Sequence, residues 1–281
     1  MNRLSSIRFG GPMTKALKYI IIINVVVYVF QMLLPFVVQS EMLSLTGIFG
    51  ISYDGINNHY YWQFLTYGFF HSSNPLHILL NMFSLWIFGG DLENYWGSRK
   101  FVLYYLTSVA GAGLFIHLMN IVAASKGFSG SVTIGASGGV FGILLAYGMT
   151  WPNREVLLYF LFPVKMKYFV IIFGLIEFFG TLQSFSFQTG NISHIGHLGG
   201  LITGFTFIMI GRIKSKSKNV KRKISRAKFT VVANQNKAKN IIDELLDKIA
   251  REGMASLSSE ERKKLEWARK NYYPDPDEKF H

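Results

Sequence analysis

The stretch Gly135-Ala136-Ser137-Gly138-Gly139 leads into the apolar segment 137–151, and the length of that segment decides how the whole chain is interpreted. As a helix the segment would rise about 22 Å, whereas the hydrocarbon core of a bilayer is about 30 Å thick. Its other end is fixed by Trp151 and the polar residues that follow, so Ser137 would lie below the opposite membrane surface. Irregular backbone at such depth is tolerated only where protein or a water-filled cavity surrounds it. The sequence therefore predicts a water-filled cavity with a serine at its floor.

Five other apolar segments accompany this short one, and the set predicts an all-α membrane protein with a bundle of six transmembrane helices. The six segments are 17–38, 76–90, 101–124, 137–151, 168–185 and 195–211. Half of the 281 residues are hydrophobic and 16% are charged, whereas soluble domains carry about 25% charged residues. No small-residue cleavage site closes the first segment, so we expect a retained helix rather than a signal peptide. The run 156–164 is too short to span and is interpreted as an interfacial or loop segment, and the long first loop 39–61 as partly interfacial.

Lysine and arginine are confined to alternate loops, and this distribution predicts the orientation of the helices. Basic residues precede the first segment and follow the second, fourth and sixth, whereas the other three loops contain only Lys126. Because cytoplasmic loops carry the basic excess, both termini are expected in the cytoplasm. We therefore predict a multi-pass protein of the cell membrane with a membrane domain 1–211 and a short helical tail 212–281.

The tail holds many of the basic residues that give the chain its net charge of +13. Charge placed in a tail and in short loops indicates membrane topology, so we expect no nucleic-acid partner. The run 212–228 lies next to the membrane and either contacts anionic lipid or is a solvated stop-transfer run, and both interpretations stay open. Helical periodicity over 240–251 ends at Gly253, and Ser258-Ser259-Glu260-Glu261 predicts a capping box that begins a second helix, ending near Asn271.

A second polar motif lies in the last apolar segment, where His194-Ile195-Gly196-His197-Leu198-Gly199-Gly200 continues to Gly204. A hydroxyl nucleophile and an imidazole base are the minimum for acyl transfer, which makes Ser137 and His197 a candidate catalytic pair. Gly138 and Gly142 face one way on their helix, and Gly200 and Gly204 form a similar face, so the two helices can approach closely. Ordinary helix packing explains either glycine pattern alone, but not its pairing with a serine and a histidine.

His77 and Asn81 form a third polar element on the second segment. Residues four apart share a helix face, and both side chains can donate hydrogen bonds. Near the outer end of the helix they could point at the oxygen of a tetrahedral intermediate. The alternative is a polar pair that is bonded to neighbouring helices.

Acids and metal ligands are sparse near these groups. Glu177 is the one carboxylate within an apolar segment. It could orient a histidine, but it is interpreted as a neutral or hydrogen-bonded buried acid, so a Ser–His dyad is favoured over a triad. His194 and His197 could ligate a metal together with His71 or His77, but no H-E-x-x-H motif is present and no acid is expected nearby, so we predict no metal. His71 and His194 are interpreted as structural or cavity-lining residues. The absence of cysteine excludes disulfides and thiolate chemistry.

With these motifs the chain resembles the rhomboid family of intramembrane serine proteases. The resemblance covers the six apolar segments, about three quarters of the chain. It is carried by His77 and Asn81 in H-x-x-x-N, by Gly135-Ala136-Ser137-Gly138, and by His197 in H-x-x-G-x-x-x-G. Gly89-Gly90-Asp91-Leu92-Glu93 with Gly97 is also similar to a family segment. Many relatives carry Trp-Arg in the first loop, whereas this chain has Trp62-Gln63, which leaves an arginine brace of that loop in doubt.

The resemblance implies a function and a role for each residue. Ser137 would be the nucleophile and His197 the general base, with Phe141 packed against His197. His77, Asn81 and the backbone N–H of Ser137 would form the oxyanion hole. The substrates would be transmembrane segments of other proteins, no cofactor would be needed, and the lipid bilayer would be the working environment. A catalytically silent scaffold that binds transmembrane helices and, less well supported, a transporter are the alternatives.

Overall fold

The computed structural model describes residues 11–37, 44–128, 132–158, 162–184 and 193–272, with the backbone alone at 37, 158, 184, 193 and 215–231. The chain forms two compact units, Met1–Ile210 and Gly211–His281. The helices are α1 (Lys15–Val37), α2 (Leu45–Phe49), α3 (Tyr53–Asn57), α4 (Gln63–Thr66), α5 (Pro75–Trp96), α6 (Ser98–Ser125), α7 (Ser137–Thr150), α8 (Met166–Ser184), α9 (Ser193–Glu252) and α10 (Ser259–Tyr272). Two strands, β1 (Glu155–Leu158) and β2 (Phe162–Lys165), lie between α7 and α8.

Helices α1, α5, α6, α7, α8 and the first part of α9 occupy the six apolar segments of the sequence. Four helical stretches among the described residues are long and apolar enough to cross a membrane: Lys15–Phe36, Ser98–Ser125, Met166–Gln183 and His194–Lys214. Helix α7 is apolar but has only 14 residues. Helix α5 is outside this group because polar residues such as His77 and Asn81 lower its mean hydropathy. The chain is thus a mostly helical, multi-pass membrane protein with four candidate membrane-spanning helices.

Glycines bring α7 close to its neighbours. A Cβ atom on Gly200 of α9 would overlap the carbonyl group of Gly138 on α7, and one on Gly204 would lie 3.4 Å from the Cα atom of Gly142. Helix α7 is also in contact with α6, where Tyr104 donates a hydrogen bond of 2.7 Å to the Gly142 carbonyl. The close helix approach that the glycine spacing predicts is therefore present, and it sets the start of α7 against the start of α9.

Glu93 connects three helix ends. Its carboxylate accepts hydrogen bonds from the backbone N–H groups of Ala16 and Leu17 in the first turn of α1, at 2.9 and 2.8 Å. The hydroxyls of Thr14 and Ser98 donate to the same carboxylate at 2.5 Å each. A carboxylate at a helix N-terminus satisfies free N–H groups and interacts favourably with the helix dipole, so this buried acid fixes the α1–α5–α6 corner.

Gln63 braces the first loop. The side chain is fully buried, and its amide nitrogen donates to the carbonyl oxygens of Gly47 at 3.0 Å and Ile48 at 3.1 Å. Its amide oxygen accepts a hydrogen bond of 3.2 Å from the Ser52 backbone. One neutral amide thus donates to two backbone carbonyls of α2 and accepts from the Ser52 N–H, where an arginine could only donate.

The segment 155–165 departs from the all-α prediction. Strands β1 and β2 pair antiparallel, with Glu155 opposite Lys165 and Val156 opposite Val164. Opposite charges and β-branched side chains across a ladder stabilise a hairpin of this kind. Arg154, just before β1, forms an ion pair of 2.5 Å with Asp91 at the end of α5. The run that the sequence left as an interfacial or loop segment is therefore a short β-hairpin, described except at 159–161.

The second unit contains the last part of α9 and the helix α10. Helix α9 continues to Glu252, and Gly253 follows it with φ 84°, a conformation that suits glycine. The predicted capping box is present: Ser258 Oγ accepts from the Glu261 N–H at 3.2 Å, and Glu261 accepts from the Ser258 N–H at 2.8 Å. Lys248 donates to Glu261 at 2.7 Å, which together with the cap lowers the pKa of Glu261 to about 2. The basic run 212–228 is helical in its backbone.

Candidate active site

Ser137 is the first residue of α7, where backbone N–H groups have no partner within the helix. The chain reaches it through Gly135, whose φ of +135° favours glycine and whose N–H donates to the Tyr67 carbonyl at 2.9 Å. Two residues before Gly135, Thr133 forms an isolated antiparallel bridge with Ile51 of the first loop. These contacts hold the residues just before α7 against the first loop and the Tyr67 backbone, and so fix the position of Ser137.

The structure brings Ser137 and His197 together across the α7–α9 contact. The distance from Ser137 Oγ to His197 Nε2 is 2.8 Å, which is a hydrogen bond. The His197 side chain is 18% exposed, so the pair is accessible yet mostly shielded. A hydroxyl within hydrogen-bond reach of an imidazole is the arrangement that activates a serine nucleophile.

Phe141 lies one turn after Ser137 on the same face of α7 and stacks on His197. The ring centroids are 4.3 Å apart and the ring planes differ by 12°. Stacking of this kind restricts rotation of the imidazole about its Cβ–Cγ bond. The predicted neighbour of His197 is thus found in contact with it.

His77 presents a donor toward the same space. Its Nδ1 atom is 3.3 Å from the backbone nitrogen of Ser72 and 3.1 Å from the Ser72 hydroxyl. A backbone N–H can only donate, so Nδ1 is the acceptor and the proton of the neutral ring is on Nε2. A Cβ atom on Gly135 would lie 2.8 Å from that Nε2 and 3.7 Å from Ser137 Oγ. The missing side chain of Gly135 therefore leaves room between an N–H donor and the serine.

Asn81 lies one turn further along α5 and is buried. Its amide nitrogen donates to the His77 carbonyl at 2.9 Å. That bond uses one of the two amide N–H groups and leaves the other as a second donor on the helix face of His77.

His71 supports the backbone immediately before the serine. The ring is fully buried, and its Nε2 accepts from the Ala136 N–H at 3.5 Å. Burial, and then the nearby ring of His77 at 5.0 Å, lower the pKa of His71 to about 4. The residue is therefore a neutral acceptor. The sequence indicated a structural or cavity-lining histidine at this position without the contact that it makes.

Glu177 corrects the expectation that no acid lies near His197. Its Oε2 atom is 3.0 Å from His197 Nδ1 and 2.7 Å from His194 Nδ1. The second contact is a hydrogen bond, whereas His197 Nδ1 forms no hydrogen bond and only contacts the carboxylate oxygen. The sequence contained the signal, because a lone carboxylate within an apolar segment needs a partner, but spacing alone did not identify which one.

The same three residues bear on the expectation of no metal. The ligand atoms of Glu177, His194 and His197 all lie within 4.8 Å of one another, which is close enough for a divalent ion. Among the residues that the structure describes, this group does not include His71, whose ring contacts Ala136, or His77, whose ring contacts Ser72. Two imidazoles around a carboxylate also satisfy one another without an ion.

Comparison with known proteins assigns a family to this site. Residues 58–214, more than half of the chain, match the model of the Rhomboid domain. The chain is 32% identical over 145 residues to the rhomboid protease GlpG of Haemophilus influenzae, covering 51% of this chain and 68% of that protein. It is 29% identical over 168 residues to the rhomboid-like protease 1 of Toxoplasma gondii, covering 57% of this chain and 49% of that protein.

A serine and a histidine on neighbouring apolar helices, with N–H donors beside them, define a hydrolase-like site in a membrane protein. The chain belongs to the rhomboid family.

Other matches show the limits of the likeness. The rhomboid protease GluP of Bacillus subtilis is 34% identical over 147 residues, which cover 52% of this chain and 25% of that protein. The chain thus spans about half or less of the length of several of these relatives. Residues 232–270, in the second unit, match a family of unknown function (DUF6576).

Proposed function

We propose that the protein is an intramembrane serine endopeptidase that cleaves transmembrane segments of other membrane proteins. The observation that carries the proposal is the hydrogen bond of 2.8 Å between Ser137 Oγ and His197 Nε2 at the meeting point of α7 and α9. Several relatives, including those in Haemophilus influenzae and Bacillus subtilis, bear the name rhomboid protease. Retention of both the hydroxyl and the imidazole argues against a catalytically silent scaffold.

The proposed reaction is acyl transfer to a serine. Ser137 Oγ attacks the peptide carbonyl carbon while His197 Nε2 takes the hydroxyl proton. His77 Nε2–H, the free N–H of Asn81 and the Ser137 backbone N–H donate to the oxyanion. His197 then passes its proton to the departing amine, and water hydrolyses the ester.

We propose that the chain crosses the cell membrane six times with both termini in the cytoplasm. The support is the confinement of basic residues to alternate loops, together with helices at all six apolar segments. Ser137 then lies below the outer surface, within reach of a transmembrane substrate. Because a helix hides its peptide groups in hydrogen bonds, substrates with helix-weakening residues should be cleaved faster.

Labelling by a serine-reactive fluorophosphonate, combined with cleavage of a reporter transmembrane substrate in liposomes, tests this function. We expect Ser137→Ala to lose both signals, and His197→Ala to lose cleavage and most labelling. Ser125→Ala and His59→Asn are matched controls in exposed positions, and both should retain activity. Labelling at a serine other than Ser137, or full cleavage by Ser137→Ala, would contradict the proposal. Substrate binding without cleavage or labelling by the wild-type protein would indicate a scaffold.

A further inference from the structure

A buried carboxylate lies behind His197, on the side away from Ser137. The Glu177 side chain is 7% exposed and projects from α8 toward the first turns of α9. An ionised carboxylate is costly to bury in a membrane helix unless charged or hydrogen-bonding groups compensate it. Here two imidazole rings, those of His194 and His197, contact the same carboxylate oxygen.

We propose that Glu177 is a positioning residue for His197, and that His194 holds Glu177 in place. The inference rests on the proposed function. It extends the Ser137–His197 pair to a Ser–His–Glu arrangement in which the acid comes from α8 and is held by a second histidine.

The position of the proton on the His197 ring supports a positioning role for Glu177. To accept the Ser137 proton, Nε2 must be unprotonated, so the neutral ring carries its proton on Nδ1. The Nδ1 atom is buried, and Glu177 Oε2 is the acceptor 3.0 Å from it. A carboxylate at this atom favours the tautomer that the reaction needs and stabilises the imidazolium that forms when Nε2 takes the proton.

In the structure His197 Nδ1 contacts Oε2 without forming a hydrogen bond, whereas His194 donates to the same oxygen at 2.7 Å. Hydrogen bonds of a catalytic site often tighten only once substrate is bound. When His197 gains a proton its attraction to the carboxylate increases, and a small rotation of the carboxylate would complete the bond.

The local sequence is suited to this three-residue contact. His194 and His197 are three residues apart on α9, so both rings face the same side of the helix. Gly180 is three residues after Glu177 on α8, and a Cβ atom there would lie 2.6 Å from the His194 ring. The glycine thus gives His194 the room to reach the carboxylate.

A divalent ion held by the same three atoms is the alternative. The two arrangements make opposite predictions. An ion on Nδ1 of His197 would be required for activity or would inhibit it, so activity would change with metal. A carboxylate that positions His197 needs no ion, so activity would not change. Activity of the wild-type protein with EDTA, and with added Zn²⁺, separates the two.

Steady-state cleavage by the full-length protein in liposomes tests the inference. We expect Glu177→Gln to lower kcat about 100-fold, with KM within about twofold of wild type, because only transition-state stabilisation is lost. Glu177→Asp should recover part of kcat, and His194→Asn should lower it about tenfold. Phe178→Leu, at an exposed position next to Glu177 on α8, is the control and should leave kcat and KM unchanged.

Thermal unfolding of each variant, and the rate of fluorophosphonate labelling at Ser137, complete the design. Unchanged unfolding temperature with slower labelling of Glu177→Gln supports positioning. Equal kcat for Glu177→Gln and wild type would overturn the inference while leaving the proposed function intact, and so would a loss of kcat that only follows unfolding. Loss of wild-type activity in EDTA would overturn it in favour of a metal. If the wild-type protein neither cleaves nor labels at Ser137, the proposed function itself fails.

Discussion

The ring of Phe141 lies nearly parallel to the imidazole of His197, with 4.3 Å between centroids. Ser137 and Phe141 are four residues apart on α7, so one helix face supplies both the hydroxyl that binds Nε2 and the surface that orients the ring. The hydrogen bond to Ser137 thus limits translation of the imidazole, and stacking on Phe141 limits its rotation.

Phe141→Ala should lower kcat about fivefold, since an aromatic contact of this kind stabilises its partner by about 1 kcal/mol. Phe141→Leu should keep the packing but lose the flat surface, with an intermediate effect. The measurement is cleavage of a reporter substrate at saturating concentration. Phe178→Leu, at an exposed position of α8, is the matched control. Equal kcat for wild type and Phe141→Ala would show that the stacked ring does not orient His197.

Gly135→Ala should abolish cleavage, with a loss of at least about 100-fold, the usual effect of removing one oxyanion donor. The added methyl group would lie 2.8 Å from His77 Nε2, in the room beside Ser137 Oγ. Gly127→Ala is a sharp control, because Gly127 also has positive φ, +81°, but has open space where its Cβ would be. Both variants place a side chain at positive φ, which costs about 1–3 kcal/mol, and only Gly135→Ala also puts a methyl group into the site. Comparable cleavage by the two would mean that the room beside His77 is not used.

The α7–α9 contact should be intolerant of a single methyl group at Gly200. A Cβ atom there overlaps the Gly138 carbonyl, which is backbone and cannot rotate away. We expect Gly200→Ala to destabilise the protein by about 3 kcal/mol and to separate Ser137 from His197. Gly174→Ala, on α8, is the control, because its nearest neighbour would be a Leu201 methyl group at 3.9 Å. Thermal unfolding and fluorophosphonate labelling report the two effects, and equal unfolding temperatures for both variants would contradict the close approach.

Much of this site follows from local sequence, because each part is fixed by residues close together in the chain. His77 with Asn81 and the glycine faces are i to i+4 relationships that helical periodicity makes visible, whereas Phe141 was expected from the resemblance to the family. The Ser137–His197 contact across 60 residues was expected because complementary glycine faces imply that two helices meet.

The contacts of Glu177 could not be derived in the same way. Glu177 and His194 are on different helices, 17 residues apart, and the side of α8 that faces α9 is set by packing along its whole length. The β-hairpin depends on a register that short apolar runs do not encode. Gln63 was noted only as a departure from an arginine, since its three backbone partners belong to an irregular loop.

Gln63→Ala should destabilise the protein by about 2 kcal/mol, because it leaves the buried Ser52 N–H and the part-buried Gly47 carbonyl without their partner, while the Ile48 carbonyl keeps the Trp62 indole as a donor. Gln63→Arg should also destabilise it, since guanidinium cannot accept from Ser52 and the side chain already contacts the Gly55 backbone. Thermal unfolding in detergent measures both. Gln31→Ala provides a comparison, because the Gln31 amide bonds to the backbone of one residue, His71, whereas the Gln63 amide bonds to the backbone of three. If Gln63→Arg unfolded at the wild-type temperature, the prediction would be wrong, and an arginine could replace Gln63 in holding the first loop.

His71 should make stability depend on pH between about 6.5 and 4. Burial keeps the folded ring neutral down to a pKa of about 4, whereas the unfolded ring takes a proton near 6.5. Below pH 6.5 the unfolded state therefore binds more protons, so stability falls with pH until the folded ring also titrates, by about 3 kcal/mol at most. Carboxylates add their own acid dependence, so the test compares unfolding temperature against pH for wild type, His71→Asn and the exposed control His59→Asn. We expect His71→Asn to be less stable at pH 7.5 but flatter from 6.5 to 4, with His59→Asn following the wild type. Parallel curves for all three would mean that His71 is not held neutral behind Ala136.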